Sequence, residues 1–383
     1  MKFRLLREAD MTEDLWQAFN TMRDANPIYD DPFFDPLYAQ LVAEVRYDVR
    51  FAVAFDNDTP VGFWPLHRRP GAWARPIGGP FSDWHGPVLS RGTDLTPHRF
   101  LRGVGLLGMS TYGWLPQTPS SEQRLSFQGA NLSDLSQGWD SFIENQAGRW
   151  PKHYKKMRRL GRNLDRDFSD VEFRFDDVSE TTFRRLIELK REQFRRTGRH
   201  DVLAPLWSRR LIDRLRRTSS RRFRLRLCSL YFDGQHAASE LVMQSDKIVH
   251  GWITAFEPEF SQYSAGNVLV QNMLERMSQS GPAIYDAGPG LDHYKRHYSN
   301  FQLPIGSGVV RAKTFAMRPD RVLGQAWRSG ERFIDGKLST AMTQSRRRLD
   351  QICLSEIDPL SRMNGLTSAF TQKVANLELA EPE

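Results

Sequence analysis

Cysteine is scarce in this chain. Cys228 and Cys353 are the only two in 383 residues, too few for a disulfide framework, and neither stands at a metal-ligand spacing, so no structural zinc and no other metal is expected. No apolar run approaches the length needed to cross a bilayer, and the mean hydropathy of -0.56 agrees. The opening stretch, MKFRLLREADMTEDLW, carries charges where a secretory signal has an apolar centre. A cytoplasmic chain is therefore expected, at most peripheral to the inner face of a membrane. A Gly-x-Ser-x-Gly elbow is also missing, and both cysteines lie far from any recognisable His partner, which argues against a covalent enzyme nucleophile.

Positive charge is plentiful. Lys and Arg number 54 against 46 Asp and Glu, giving a net charge of +8 that favours an acidic partner: nucleic acid, an anionic membrane or a phosphate-bearing ligand. The charge gathers in KHYKKMRRLGR at 152–162 and in the arginines of 209–226. Two readings stand open for these clusters: solvated helix faces whose stems cover apolar surface, or a funnel that guides an anion. The chain length and a hydrophobic content of 39% provide for two or more units with a sizeable core.

The most informative stretch is 223–301. Apolar runs at 223–232, 236–243 and 248–256, separated by Asp233-Gly234 and Ser245-Asp246, predict three hairpin-linked strands. The period then changes: Leu269, Met273 and Met277 recur every four residues, which predicts a helix starting at Gly266. The segment at its N-terminus, Tyr263-Ser264-Ala265-Gly266-Asn267, has small side chains that let a ligand approach backbone N–H groups lacking helical partners. Such a terminus suits a phosphate. A strand at 283–286 follows, ending at Asp286. The turn Gly288-Pro289-Gly290 then leads to a helix bearing Tyr294 and Lys295.

YSAGNVL from Tyr263, followed by YDAGPGLDHYKRHY from Tyr285, resembles the signature of the CelD/BcsL-type GNAT acyltransferases of exopolysaccharide and cellulose synthesis, related in fold to Fem-type peptidyltransferases. The resemblance covers roughly residues 25–315. It implies an α/β protein of tandem GNAT-like units, with mixed central sheets and flanking helices. It also implies an acyl-coenzyme A co-substrate, acetyl or longer, held at Tyr263, Ser264, Ala265, Gly266 and Asn267. Transfer would go directly to an amine on a small molecule or glycan precursor. Tyr294-Lys295 matches the family's Tyr-Lys pair, with Lys295 close to the bound substrate. Asp286 is either part of this catalytic group or a helix cap. The family more often has Ser-Pro-Gly where this chain has Ser264-Ala265-Gly266, and without the φ-locking proline the loop is expected to be looser.

Earlier in the chain, a strand at 2–6 precedes a helix in which Leu15, Phe19 and Met22 share a face. A loop with Pro27, Pro32 and Pro36 enters a second helix marked by Leu37, Leu41 and Val45, and runs at 51–55 and 61–66 read as a hairpin. PIGGPFSDWHGPVLS then brings Ser82, Asp83, Trp84 and His85 together. This resembles the family's Ser-Asp-aromatic segment, which implies that Asp83 faces the acceptor cleft and orients an amine. The alternative is that Ser82 and Asp83 cap a turn while Trp84 packs inward. Strands at 112–115 and 124–127 close the first half, with the junction at 129–150, and Pro151 opens the basic helix. A strand at 171–175 and two helices, one with Phe183, Leu186, Ile187 and Phe194, the other with Trp207, Leu211 and Leu215, open the second half.

The expected division is a GNAT-like half at 1–140, a GNAT domain at 141–316 and a helical tail at 317–383 with a disordered end. Leu338, Met342, Leu349 and Ile352 stand at helical spacing in that tail, beside Arg346-Arg347-Arg348. It packs on its own domain, lies on an anionic membrane or docks on a synthase complex. Two rival functions remain: a Fem-like transferase using aminoacyl-tRNA, for which the basic clusters would be the RNA footprint, and a non-catalytic component of a polysaccharide synthase.

Overall fold

The computed structural model describes residues 1–116, 124–290 except 219, 221 and 280, 294–312, 349, 351–358 and 360–363. The chain runs β1 (Lys2–Leu6), α1 (Glu13–Asp24), α2 (Pro36–Val45), β2 (Val49–Asp56), β3 (Thr59–Arg69), β4 (Trp73–Pro76), β5 (Val88–Leu89), α3 (Pro97–Gly103), β6 (Gly108–Trp114) and β7 (Arg124–Asp134). After α4 (Trp139–Arg149) and α5 (Pro151–Asp167) come β8 (Val171–Arg174), α6 (Glu180–Arg196), α7 (Leu206–Arg217), β9 (Arg224–Phe232), β10 (Gln235–Gln244), β11 (Ile248–Phe256), α8 (Ala265–Gln279), β12 (Ile284–Pro289) and β13 (Phe301–Arg311).

Local chemistry explains many of the boundaries. Thr12 and Ser179 accept backbone N–H bonds at the starts of α1 and α6, and Asp35 does so ahead of Pro36, which fills the first helical position of α2. Asn57-Asp58 and Asp233-Gly234 adopt the paired left-handed conformations of tight hairpins. Alternation along the strands then assigns the two faces. In β2, Phe51, Val53 and Phe55 join the core under α1 and α2, whereas Ala52 and Ala54 join the core under α3.

One mixed sheet carries the order β1-β2-β3-β4-β6-β13-β7-β12-β11-β10-β9-β8, with β5 on β3. Two runs of elements repeat within it, β1-α1-α2-β2-β3-β4-α3-β6 and β8-α6-α7-β9-β10-β11-α8-β12. In each run a parallel pair joins the last meander strand to the strand after the helix, β4 to β6 and β11 to β12. The closing strands then cross over: β7 pairs with β12, β13 pairs with β6, and β7 and β13 pair with each other. The fold is thus a tandem α/β arrangement whose two repeats share one sheet.

β13 has no counterpart among the strands expected from the sequence, because Pro304, Gly306 and Gly308 interrupt its pattern. Its pairing with β6 starts only at Gly306, which leaves Pro304 a side on which no N–H is required. β7 runs on to Asp134, inside the stretch expected to be the junction.

Aromatic packing ties the repeats together. Phe81 meets Trp207 and Trp252 edge-on, and Tyr38 approaches Phe223, all within a core that extends beneath α1, α2, α6 and α7. The described part of the tail also packs on the chain itself. Ile352 and Leu354 are buried, and Arg46 and Arg69 donate to the carbonyls of Leu354 and Cys353. Leu338, Met342, the arginines 346–348 and the chain end lie outside the described residues.

Candidate functional site

β11 and β12 pair only at Ile248–Ile284, Val249–Tyr285 and His250–Asp286. Beyond that point each strand follows a different neighbour. β12 stays with β7 as far as Pro289, while β11 stays with β10 through a bulge in which Trp252 is the extra residue between Gly251 and Ile253. The strands thus diverge past His250 and Asp286, and the gap between them is the candidate cleft. Two glycines flank its floor: a Cβ on Gly251 would lie 2.4 Å from the Tyr285 hydroxyl, and Gly288 has φ +73 with its Cβ position 3.2 Å from an Asp83 carboxylate oxygen. The strand bearing Asp286 therefore continues to Pro289 rather than ending at Asp286 as expected.

The N-terminus of α8 lies beside this cleft. Ser264 is left-handed (φ 54) and its carbonyl accepts from Asn267 and Val268, so the N–H groups of Ala265 and Gly266 precede the first intrahelical bonds. The helix starts at Ala265, one residue earlier than expected. The space over Gly266 is open, its nearest neighbour being a Phe256 ring carbon 3.8 Å from a Cβ position. Tyr263 turns elsewhere: its ring packs on Phe168 and Phe232, and its hydroxyl donates to Asp167 at the end of α5 (3.0 Å).

At the cleft floor, His250 is fully buried between the repeats. Its Nδ1 lies 3.0 Å from Asp31 and 3.5 Å from Asp286, and its Nε2 lies 3.1 Å from Asp83. Burial alone would lower the imidazole pKa, but the carboxylates of Asp31 and Asp286 overcome it and hold His250 well above its ordinary value. Once protonated, it donates to Asp31 from Nδ1 and to Asp83 from Nε2. Asp286 is itself braced by the Trp84 indole N–H and the Gly288 N–H, both at 2.6 Å, and Asp31 accepts from Phe33 N. The donor atoms of Asp31, His250 and Asp286 lie within 4.8 Å of one another, a spacing that also suits a metal ion. Asp83, with its side chain 34% exposed, is the member that reaches solvent.

A second polar pair sits on the opposite face of the sheet, under α8. Glu240 is buried with both oxygens 3.3 Å from the Tyr285 hydroxyl, and burial raises its carboxyl to about 7. Lys295 contributes a favourable charge to it from a distance, while its Nζ donates to the Pro289 carbonyl (3.0 Å) at the rim of the cleft. Tyr294 packs half-buried against the core under α8. A following helix was expected to carry both residues; among the described residues a one-turn 3-10 helix, Lys295–His297, stands there, with Tyr294 as its cap.

In the first repeat the equivalent opening, between β4 and β6, is sealed by its own chain. His85 bridges to Trp114 in parallel, its N–H donating to Gly113 O and its carbonyl accepting from Leu115. Pro97 takes the first position of α3, where α8 has the free N–H of Ala265, and the Thr96 side chain accepts from Arg99 N. The plugging segment is also the one that carries Asp83 and Trp84 across to the second repeat.

Of the residues singled out from the sequence, Asp83 and Asp286 converge on His250, Ser264 to Asn267 form the helix start, and Tyr294 and Lys295 lie past the far end of β12. His250, Asp31, Glu240 and Tyr285 were not singled out. The signals available for them were a His-Gly pair inside an apolar strand and a cluster of carboxylates in a proline-rich aromatic loop.

Residues 151–296 match the family model for an acetyltransferase (GNAT) domain. No curated protein sequence matches the chain. Among solved structures, the chain is similar to FemX (10% identity, 76% of this chain and 95% of that one, TM-score 0.48) and to a tandem GNAT protein from the clavulanic acid biosynthesis pathway (9%, 82% and 99%, 0.45). It is also similar to the C-terminal domain of a putative lysylphosphatidylglycerol synthetase from Agrobacterium fabrum (12%, 76% and 90%, 0.45). The GNAT match spans the basic helix α5, the β9–β11 meander, α8, the cleft and Lys295. No helix among the described residues is long and apolar enough to cross a membrane.

Proposed function

We propose that the chain moves an acyl group from acyl-coenzyme A to an amine, on a sugar or another envelope precursor, in a single cleft formed by the second repeat and completed by the first. The observation that carries this reading is the open β11–β12 cleft beside the uncapped start of α8, with Asp83 delivered to its floor. The segment Ser264 to Asn267 would hold the pyrophosphate through the N–H groups of Ala265 and Gly266, with Ser264 and Asn267 shaping the turn and Tyr263 supporting the loop by packing. Once bound, the coenzyme supplies an activated thioester.

The chain's own residues do the rest. Asp83 orients the acceptor ammonium and takes its proton, because it alone of the buried cluster is open to solvent. His250 fixes the Asp83 carboxylate, and Asp31 and Asp286 keep His250 charged; these are positioning residues. Lys295 places a cation at the rim, where negative charge grows in the transition state. Tyr294 would give a proton to the departing coenzyme thiolate, while Tyr285 stays buried on the opposite face of the sheet, held by Glu240. The sugar or envelope acceptor rests on the CelD/BcsL-type signature at Tyr263 and Tyr285.

A product-detection assay with acetyl- and longer acyl-coenzymes A against a panel of amino sugars and other amines tests the proposal. Acylated product should form, and Asp83→Asn should lower kcat or raise the acceptor KM while coenzyme binding persists. Transfer supported by charged tRNA and by no acyl-coenzyme A would overturn it in favour of the Fem-like alternative.

A further inference from the structure

The basic helix α5 carries a feature that acyl transfer does not use. Tyr154, Met157, Leu160 and Leu164 bury one face of it against the core under α8. At 100° per residue, Lys152, Lys155, Lys156, Arg159 and Arg162 fall within about 120° of the circumference on the opposite side, along about 15 Å of axis. All five are exposed, and no acidic residue occurs between Lys152 and Leu164. None of the five makes an ion pair with an acidic group among the described residues. The arginines of α7 contrast with them: Arg214 pairs with Glu44, Arg216 with Glu180 and Arg217 with Asp213.

The stripe continues past the start of α5. Arg149 and Arg296 both approach the Trp150 ring, with guanidinium carbons 5.6 and 5.1 Å from its centroid. At the other end, the Asp167–Tyr263 hydrogen bond joins α5 to the segment that opens α8.

We infer that the α5 stripe docks the protein on an anionic phospholipid bilayer and thereby presents the cleft to an acceptor at the membrane surface. Charge complementarity selects the partner. A row of cations on a convex helix can all touch a plane at once, whereas binders of single-stranded nucleic acid pair a basic groove with aromatic side chains free to stack on bases. Here the neighbouring aromatic, Trp150, is engaged by two guanidiniums. The docking itself does not depend on the proposed chemistry.

Flotation of the full chain with phosphatidylglycerol-containing and pure phosphatidylcholine vesicles tests the inference. At about 0.1 M salt, where charges interact over roughly 10 Å, the protein should float with the anionic vesicles only, and raising the salt tenfold should release it. Each cation near such a surface is worth about fivefold in partitioning, so the combined Lys155→Gln, Lys156→Gln, Arg159→Gln and Arg162→Gln variant should lose more than about a hundredfold. Its melting temperature should stay unchanged, because these side chains are exposed. Arg209→Gln with Arg210→Gln, on exposed positions of α7, should bind vesicles like the wild type. Failure of the wild type to float, equal binding by the α5 variant, or displacement from vesicles by a structured RNA at the same salt would overturn the inference.

Discussion

Replacing Glu240 by Gln isolates the chemistry of a single buried carboxyl beside the cleft. In the folded chain this group titrates at about 7 instead of its ordinary 4.5, because burial penalises the carboxylate more than the Tyr285 hydroxyl and nearby cations favour it. The folded state therefore binds a proton more tightly than the unfolded chain. The contribution is fully present below about pH 4.5 and is lost as pH rises through about 7, so stability falls across that window. The shift corresponds to a loss on the order of 3 kcal/mol. Gln keeps the shape and an acceptor for Tyr285 but carries no proton to lose. The difference in unfolding free energy between variant and wild type, measured by urea denaturation from pH 5 to 8, should grow with pH and level off above about 7. A difference that does not change with pH would show that Glu240 ionises normally and that the α8 side of the cleft is not held as a neutral acid.

Three further outcomes follow from the same geometry. Lys295→Ala should lower kcat by about two to three orders of magnitude with little change in melting temperature, and Lys295→Arg should recover only part, as a planar guanidinium cannot reproduce the ammonium position; near wild-type turnover would remove Lys295 from the mechanism. Gly251→Ala should destabilise the fold by about 1–3 kcal/mol in chemical denaturation, since the added methyl meets the Tyr285 hydroxyl and a Glu240 oxygen at 2.4 and 2.5 Å. Trp84→Phe removes the indole donor to buried Asp286 and should cost about 1–3 kcal/mol, with a perturbed His250 imidazole resonance in NMR titration.

Much of this architecture was legible in the sequence because it is written locally. Asp233-Gly234 states a hairpin, Pro36 and Pro151 state helix starts, and the four-residue recurrence of Leu269, Met273 and Met277 states the helix whose N-terminus flanks the cleft. β13 was not legible: proline and glycine weaken its pattern, and its place is set by pairing with β6 and β7, strands of the other repeat. The same distance hid the floor of the cleft. His250 meets Asp31 across 219 residues and Asp83 across 167, so in sequence it reads as one polar residue in an apolar strand. The Gly/Pro-rich loop did mark Asp83 as worth attention, but its partner belongs to the other repeat. Asp286 looked like a strand end or helix cap because the bracing by Trp84 comes from 202 residues away.

The chain should offer one acyl-donor site, at the start of α8, because the segment around His85 fills the corresponding opening of the first repeat. Isothermal titration of the full chain with acetyl-coenzyme A measures this most directly. A stoichiometry of one per chain is expected, with loss of binding in Gly266→Asp, whose carboxylate would meet the pyrophosphate at the open face of the helix start while leaving the core untouched. Binding of two equivalents, no binding at all, or unchanged affinity in a folded Gly266→Asp variant would contradict it.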